Sequence, residues 1–305
     1  MEISISKLTR SSLRIAEAAA EVIRKVAGGD LEICDKAADG VMPDLQTAAD
    51  RRSEALIVTA LRELFPGLKI VAEEGGAATT SEDWEIARQQ VIEKINGEVD
   101  PANEALVDQS RIIVWVDPLD GTSDFVKRQF DCVSVLIGIS CDTVPVAGVI
   151  LRPFNNSEAI WGGNGFGINF SAGVNISEPE EISRCNQLRV TTTGSRSTPV
   201  IDAALDRLAP SQVLRVGGAG YKYWLLLTNQ VDVYAYPRPG LKLWDVCAGD
   251  ALLRLVGGTS TTPDGEVFVY SDKETAAILT SGIVASTACV EELRRDILEK
   301  ISIKN

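Results

Sequence analysis

Histidine is absent from all 305 residues. That absence excludes Ser-His-Asp hydrolysis, phosphohistidine chemistry, HExxH zinc sites and every general acid or base built on imidazole. The six cysteines, Cys34, Cys132, Cys141, Cys185, Cys247 and Cys289, stand far apart with no CxxC pair. Neither a disulfide framework nor a structural zinc site is expected, and the thiols read as reduced and mostly buried. No GxxxxGK[ST] segment exists to cradle a nucleoside triphosphate. Basic residues are in deficit, 30 Lys and Arg against 43 Asp and Glu, for a formal net charge of −13. Without a basic stripe there is nothing to displace counterions from a nucleic acid polymer, so none is expected as a partner. Long apolar runs are missing too, and Met1 to Arg14 lacks a continuous apolar stretch. The expectation is a cytoplasmic protein with no membrane contact, working as a monomer or homodimer.

What remains is an ordinary globular composition, 45% hydrophobic and 24% charged. Apolar spacing predicts helices over Leu8–Val26 and Thr47–Leu64, closed by Gly28-Gly29 and Pro66-Gly67. A short strand over Leu68–Ala72 leads into Glu73-Glu74. A polar, acidic stretch from Gly75 to Arg111 reads as a surface insertion with a helix over Ser81–Ile95. Val- and Ile-rich strands follow at Ile112–Val116, Val133–Ser140 and Pro145–Leu151. Gly162 to Gly167 and Ser171 to Arg184 read as surface turns and a seam. The chain therefore divides into an α+β subdomain, 1–180, and an α/β subdomain, 181–305. In the second, strands are predicted at Leu188–Thr192, Val213–Val216 and Val231–Tyr236. Helices are predicted at Val200–Leu208, Tyr221–Thr228, Asp245–Val256 and, as one amphipathic element, Cys289–Ile301.

Chemistry concentrates in Trp115-Val116-Asp117-Pro118-Leu119-Asp120-Gly121-Thr122-Ser123, where a strand ends in two acids two residues apart. Pro118 fixes the turn, so both carboxylates can aim at one point. Gly121 lets backbone N–H groups approach a phosphate, and Thr122-Ser123 can open a helix whose N-terminus favours negative charge. The competing reading is that Asp120 caps a helix and Asp117 sits in a turn. Glu73-Glu74 after a strand and Asp245 at a helix start supply further oxygen donors, a set suited to Mg²⁺. Asp50 stands in Thr47-x-x-Asp50, a pattern that serves a helix cap as well as it serves catalysis. Glu74 faces either this site or solvent.

Val71-Ala72-Glu73-Glu74, Trp115 to Thr122 and Trp244 to Gly249 resemble the three motifs of the inositol monophosphatase superfamily. Asp44 to Arg51, Val135 to Ile139 and Leu214 to Gly220 resemble its 3'(2'),5'-bisphosphate nucleotidase branch, over roughly residues 10 to 285. The resemblance implies a five-layer αβαβα sandwich of the sugar phosphatase, fructose-1,6-bisphosphatase-like type. It implies a Mg²⁺-dependent, usually lithium-inhibited phosphomonoesterase acting on a small bisphosphate. Glu73, Asp117, Asp120, Asp245 and the Leu119 carbonyl would hold two or three Mg²⁺ ions. Asp50 and Thr122 would orient and deprotonate the attacking water. Gly121, Thr122, Thr193, Gly218 and Lys222 would contact substrate.

The sequence departs from that pattern at Arg196, where the nucleotidases usually carry histidine. Its guanidinium either contacts phosphate or adenine or is simply solvated. The expected reaction is hydrolysis of 3'-phosphoadenosine 5'-phosphate to AMP and phosphate. The rivals are an inositol polyphosphate 1-phosphatase acting on inositol 1,4-bisphosphate, an enzyme with both activities, and a catalytically silent nucleotide or Mg²⁺ sensor.

Overall fold

The computed structural model of the protein describes residues 1–36, 44–75, 81–97, 106–180, 182–194, 197–271 and 281–302. Two small antiparallel pairs lie at the periphery, β1 (Glu2–Ser4) with β5 (Leu106–Asp108) and β2 (Cys34–Asp35) with β3 (Leu45–Gln46). The main architecture has five layers. The outer helices are α1 (Ile5–Ala27) and α2 (Ala48–Leu64), flanked by α3 (Glu82–Asn96). The Ser4 hydroxyl caps α1 by accepting the Lys7 N–H, so the helix starts one turn before the expected Leu8.

Beneath lies a six-stranded sheet made of β4 (Lys69–Ala72), β6 (Ile112–Asp120), β7 (Ser134–Cys141), β8 (Val144–Arg152), β9 (Glu158–Gly163) and β10 (Gly167–Phe170). Their order is β10-β9-β8-β7-β6-β4, with β4 parallel to β6 and the other pairs antiparallel. α6 (Ala219–Leu227) and α7 (Leu243–Leu255) form the middle layer. The second sheet contains β11 (Arg189–Thr193), β12 (Gln212–Val216), β13 (Val233–Tyr236), β14 (Thr259–Thr261) and β15 (Ile283–Ser286), in the order β12-β11-β13-β15-β14. α5 (Pro199–Leu208) and α8 (Arg294–Ile301) pack on each other and share its core; α4 (Thr122–Val126) is a single turn at the end of β6.

The six-stranded sheet is buried on both faces, and its side chains divide with the two-residue period of a strand. Val114, Val116, Ile137, Ile139, Val149 and Leu151 enter the core under α1 and α2. Trp115, Leu136 and Ile150 enter the core shared with α7 and the second sheet. α7 sits directly on the strand backbone: a methyl group added at Gly138 would lie 2.6 Å from Cys247, and one at Gly148 would lie 2.5 Å from the Ala248 carbonyl. That close seat fixes where Asp245, in the first turn of α7, meets the ends of β4 and β6.

Several expectations are corrected. Gly162 to Gly167 is not merely a surface turn. It is the bend of the β9–β10 hairpin, where missing side chains let Gly162 lie against the Gly167 carbonyl. Cys289–Ile301 is not one helix. Tight 3-10 turns over Ala288–Leu293, with Val290 off helical geometry, precede α8. They sink Val290 into the core, while Arg294 turns inward to donate to Ser286 Oγ (2.6 Å) and Thr261 Oγ1 (2.7 Å). Of the six free cysteines only Cys185 and Cys247 are buried. Cys289 and Arg295 have the spacing of a thiolate phosphate loop but lie on helical turns, with Arg295 exposed and paired to Glu299. Among the described residues no helix is long and apolar enough to cross a membrane.

Candidate active site

β6 runs past Val116 as far as Asp120, and its register against β7 breaks between Asp117 and Asp120. Such an irregularity re-aims side chains, and here it points both acids into a cleft of about 520 Å³. Asp117 is 2% exposed and Asp120 7%. Gly121 turns the chain with φ +89°, left-handed backbone that a side chain would strain, and an added methyl would press on the Cys132 carbonyl at 3.0 Å. α4 then begins at Thr122. Beside this turn, the Glu73 N–H donates to the Val116 carbonyl at 3.1 Å, extending the parallel β4–β6 ladder by one residue and setting Glu73 next to Asp117. Glu74 is not among the cleft-lining residues and pairs with Lys36 (2.9 Å) and Gln46.

The acids repel one another. Burial, the Asp245 charge and neighbouring acids push Glu73 up to about 8, against the pull of Lys36 at 3.6 Å. Burial, then Glu73, Asp120 and Asp245, drive Asp117 well above the carboxylate range, and Glu73 and Asp117 share a hydrogen bond. Burial raises Asp120 as well. Burial alone would lower the Lys36 ammonium, but Glu73 and Glu74 raise it above its ordinary value.

Asp120 also ties the end of β6 to β7 and to the middle layer. Its Oδ1 accepts the Ala219 N–H (2.8 Å), and its Oδ2 accepts the Gly220 N–H (2.8 Å) and the Ser134 hydroxyl (2.9 Å). It thus sits at the N-terminus of α6, where negative charge is favoured. Asp245 Oδ2 accepts the Lys242 N–H at 2.6 Å, closing the first turn of α7.

Three carboxylates from the ends of β4 and β6 and one from a helix start, with the Leu119 carbonyl, form an all-oxygen donor set facing one cleft. Hard divalent cations take such ligands, and their charge would relieve the repulsion that now favours protonation. Among the described residues no three acidic side chains are grouped closely enough to hold an ion; Asp120 and Asp245 accept hydrogen bonds from backbone N–H groups.

Asp50 is fully buried at the start of α2, and its two oxygens do different things. Oδ2 accepts the Thr47 N–H (2.7 Å) and the Thr47 hydroxyl (2.6 Å), completing a helix cap. Oδ1 accepts the Thr122 hydroxyl at 3.0 Å; that hydroxyl also lies 3.1 Å from the Leu119 carbonyl. The cap and the contact with Thr122 therefore coexist. Burial raises Asp50, partly offset by the Thr47 and Thr122 hydrogen bonds.

The opposite wall comes from the second sheet and the middle layer. Thr193, Gly218 and Lys222 line it. Lys222 is 4% exposed and donates to the Gly217 (3.0 Å) and Gly218 (2.6 Å) carbonyls, so its ammonium stiffens the glycine turn. Arg196 lies outside the described residues. Arg238 and Lys242, outside the expected set of site residues, line the cleft with Cζ 5.8 Å from the Tyr236 ring and Nζ 5.9 Å from the Trp244 ring. Lys36 and Asp124 line it too and were not anticipated. No local pattern marks Lys36. Asp124 stands two residues after Thr122, a signal that could have been read.

The sequence profile of the inositol monophosphatase family matches residues 4–301. The human protein 3'(2'),5'-bisphosphate nucleotidase 1 is 34% identical over 292 residues, covering 92% of this chain and 91% of its own. The protein of the same name from Dictyostelium discoideum is 33% identical over 288 residues, covering 88% and 89%. Among solved structures, the extragenic suppressor protein suhB from Bartonella henselae superposes with a TM-score of 0.70 at 20% identity, over 97% of this chain and 98% of that one. At that identity the likeness speaks to the sandwich fold alone. The profile match across nearly the whole length, with the nucleotidase relatives beside it, places this chain in the inositol monophosphatase family.

Proposed function

We propose that this protein is a Mg²⁺-dependent phosphomonoesterase that removes the 3'-phosphate of 3'-phosphoadenosine 5'-phosphate, leaving AMP and phosphate. Family membership implies Mg²⁺ dependence, and the similarity to bisphosphate nucleotidases supports this substrate class. The observation that carries the reaction is the Thr122 hydroxyl held by buried Asp50 at the lip of an acid-lined cleft.

Glu73, Asp117, Asp120, Asp245 and the Leu119 carbonyl are the residues that would hold two or three ions. Bound Mg²⁺ supplies Lewis acidity toward an attacking water and the departing ester oxygen. The rest falls to the chain. With its own proton directed at Asp50 Oδ1, Thr122 Oγ1 keeps a lone pair to accept a proton from water. As the water oxygen bonds to phosphorus and the phosphorus–O3' bond breaks, that proton passes to Thr122 and the Thr122 proton to Asp50, while O3' is protonated from solvent. Gly121 lets backbone approach the phosphate, and Thr193, Gly218, Lys222 and Arg196 are assigned to the nucleotide.

The test is phosphate release, with and without Mg²⁺, from 3'-phosphoadenosine 5'-phosphate and from inositol 1,4-bisphosphate. Preference for the nucleotide is expected. Preference for the inositol ester overturns the substrate assignment, and binding without phosphate release from either overturns the enzymatic one.

A further inference from the structure

Asp124 lines the cleft, is 7% exposed, and among the described residues its carboxylate accepts no hydrogen bond and forms no ion pair. Most of the residue is covered, yet the carboxylate stays open to the cleft, where its acceptor oxygens can meet a donor on a bound molecule. Burial raises its pKa, and Lys127 and Lys222 are near enough to offset part of that rise. Helix capping does not account for it, since α4 is five residues long and its N-cap Gly121 takes part in no side-chain cap. Its place is tightly set: a methyl group added at Gly217 would lie 1.7 Å from Asp124 Oδ2, so the carboxylate rests on the bare backbone of the glycine turn.

We propose that Asp124 is a specificity residue that accepts a hydrogen bond from the sugar hydroxyl vicinal to the scissile phosphate. The inference rests on the phosphomonoesterase reading above and deepens it. A carboxylate repels phosphate and takes only donors, and a nucleoside bisphosphate offers two near enough to consider, the ribose 2'-hydroxyl and the adenine amino group. Asp124 is two residues from Thr122, on the single helical turn that follows Gly121, which the reading above assigns to the phosphate, and across from it stands Gly217. The donor bonded closest to the phosphate is the one that reaches this position, and that is the 2'-hydroxyl.

The experiment measures kcat/KM on 3'-phosphoadenosine 5'-phosphate, its 2'-deoxy analogue and the inosine counterpart, for the wild type, Asp124→Ala and Asp124→Asn, with thermal melting to confirm folding. A hydrogen bond to a charged acceptor predicts that the wild type favours the ribose over the deoxyribose form by roughly 10- to 100-fold. In Asp124→Ala the ratio collapses toward unity. Asp124→Asn, which keeps shape and one acceptor oxygen, falls between. A ratio unchanged in both variants overturns the proposal while the phosphatase reading stands. So does a loss of adenine-over-inosine preference in its place, which would assign Asp124 to the base. A wild type inert toward all three nucleotides overturns the nucleotide reading and this proposal together.

Discussion

Replacing Asp50 by Asn isolates the proton acceptor from the helix cap. In the wild type Oδ2 serves Thr47 through two contacts of 2.7 and 2.6 Å, and Oδ1 serves Thr122 at 3.0 Å. An amide has only one oxygen for these two jobs. If that oxygen faces the Thr47 N–H, the NH₂ meets Thr122, consumes its lone pair and turns its proton toward the Leu119 carbonyl. Turnover then falls by roughly 10²- to 10⁴-fold, the usual worth of a general base. If the oxygen faces Thr122, the cap is lost, at about 1 kcal/mol, and the hydroxyl hydrogen-bonds to a neutral acceptor far less basic than carboxylate. Thr47→Ala provides the comparison, because it removes the hydroxyl contacts of the cap, to Asp50 Oδ2 and from the Ala49 N–H, while the backbone N–H at 47 still donates to Asp50 and Asp50 still faces Thr122. It should lose a similar 1 kcal/mol, about 2 °C in melting temperature for a chain of this size, and keep most of its activity. The assay is phosphate release at saturating Mg²⁺ beside calorimetric melting. Equal activity losses in the two variants would refute the argument, since Asp50 would then act only by holding α2.

Gly121→Ala should cost about 1–2 kcal/mol for its left-handed backbone and, by displacing Thr122, lower turnover by roughly 10- to 100-fold; chemical denaturation and steady-state kinetics would check both. Arg294→Ala strands the Ser286 and Thr261 hydroxyls in the core far from the cleft, so stability should fall by about 2–4 kcal/mol with kcat of the folded protein unchanged. Because Glu73 is held up near 8 and Asp117 is raised as well, both bind protons in the folded state that the unfolded chain has already released at neutral pH. Their contribution to the metal-free fold is therefore full below the ordinary carboxylate range and is lost as pH rises, for Glu73 through about 8. The gain in melting temperature on adding Mg²⁺ should grow from pH 6 to 8 and then level off; a gain independent of pH would remove these acids from the cation site.

The elements legible in the sequence were those whose signal is local. Thr47 and Ser81 mark the starts of α2 and α3, the apolar spacing that begins at Leu8 finds α1 one turn late, and the dense Val and Ile of β6, β7 and β8 leave no alternative to a central sheet. The acids were legible because each adjoins a strand end or helix start. What stayed hidden depends on distant chain. Asp120 meets Ala219 and Gly220 about a hundred residues away, and no spacing rule reports that an acid at the end of one sheet seats a helix under the other. β9 and β10 were masked by glycines that mimic a turn yet permit strands to pack closely. Lys36 acquires meaning only because the fold lays its loop against Glu73 and Glu74. Asp124 likewise becomes conspicuous only once its missing partners are visible.

The most direct measurement of the central claim is identification of the products after a single turnover of 3'-phosphoadenosine 5'-phosphate, with Mg²⁺ and then with a chelator. The account predicts AMP and one phosphate with Mg²⁺, neither with the chelator, and the same silence when Asp120→Asn is given Mg²⁺. Release of adenosine 3'-phosphate, or turnover that survives chelation, would contradict it.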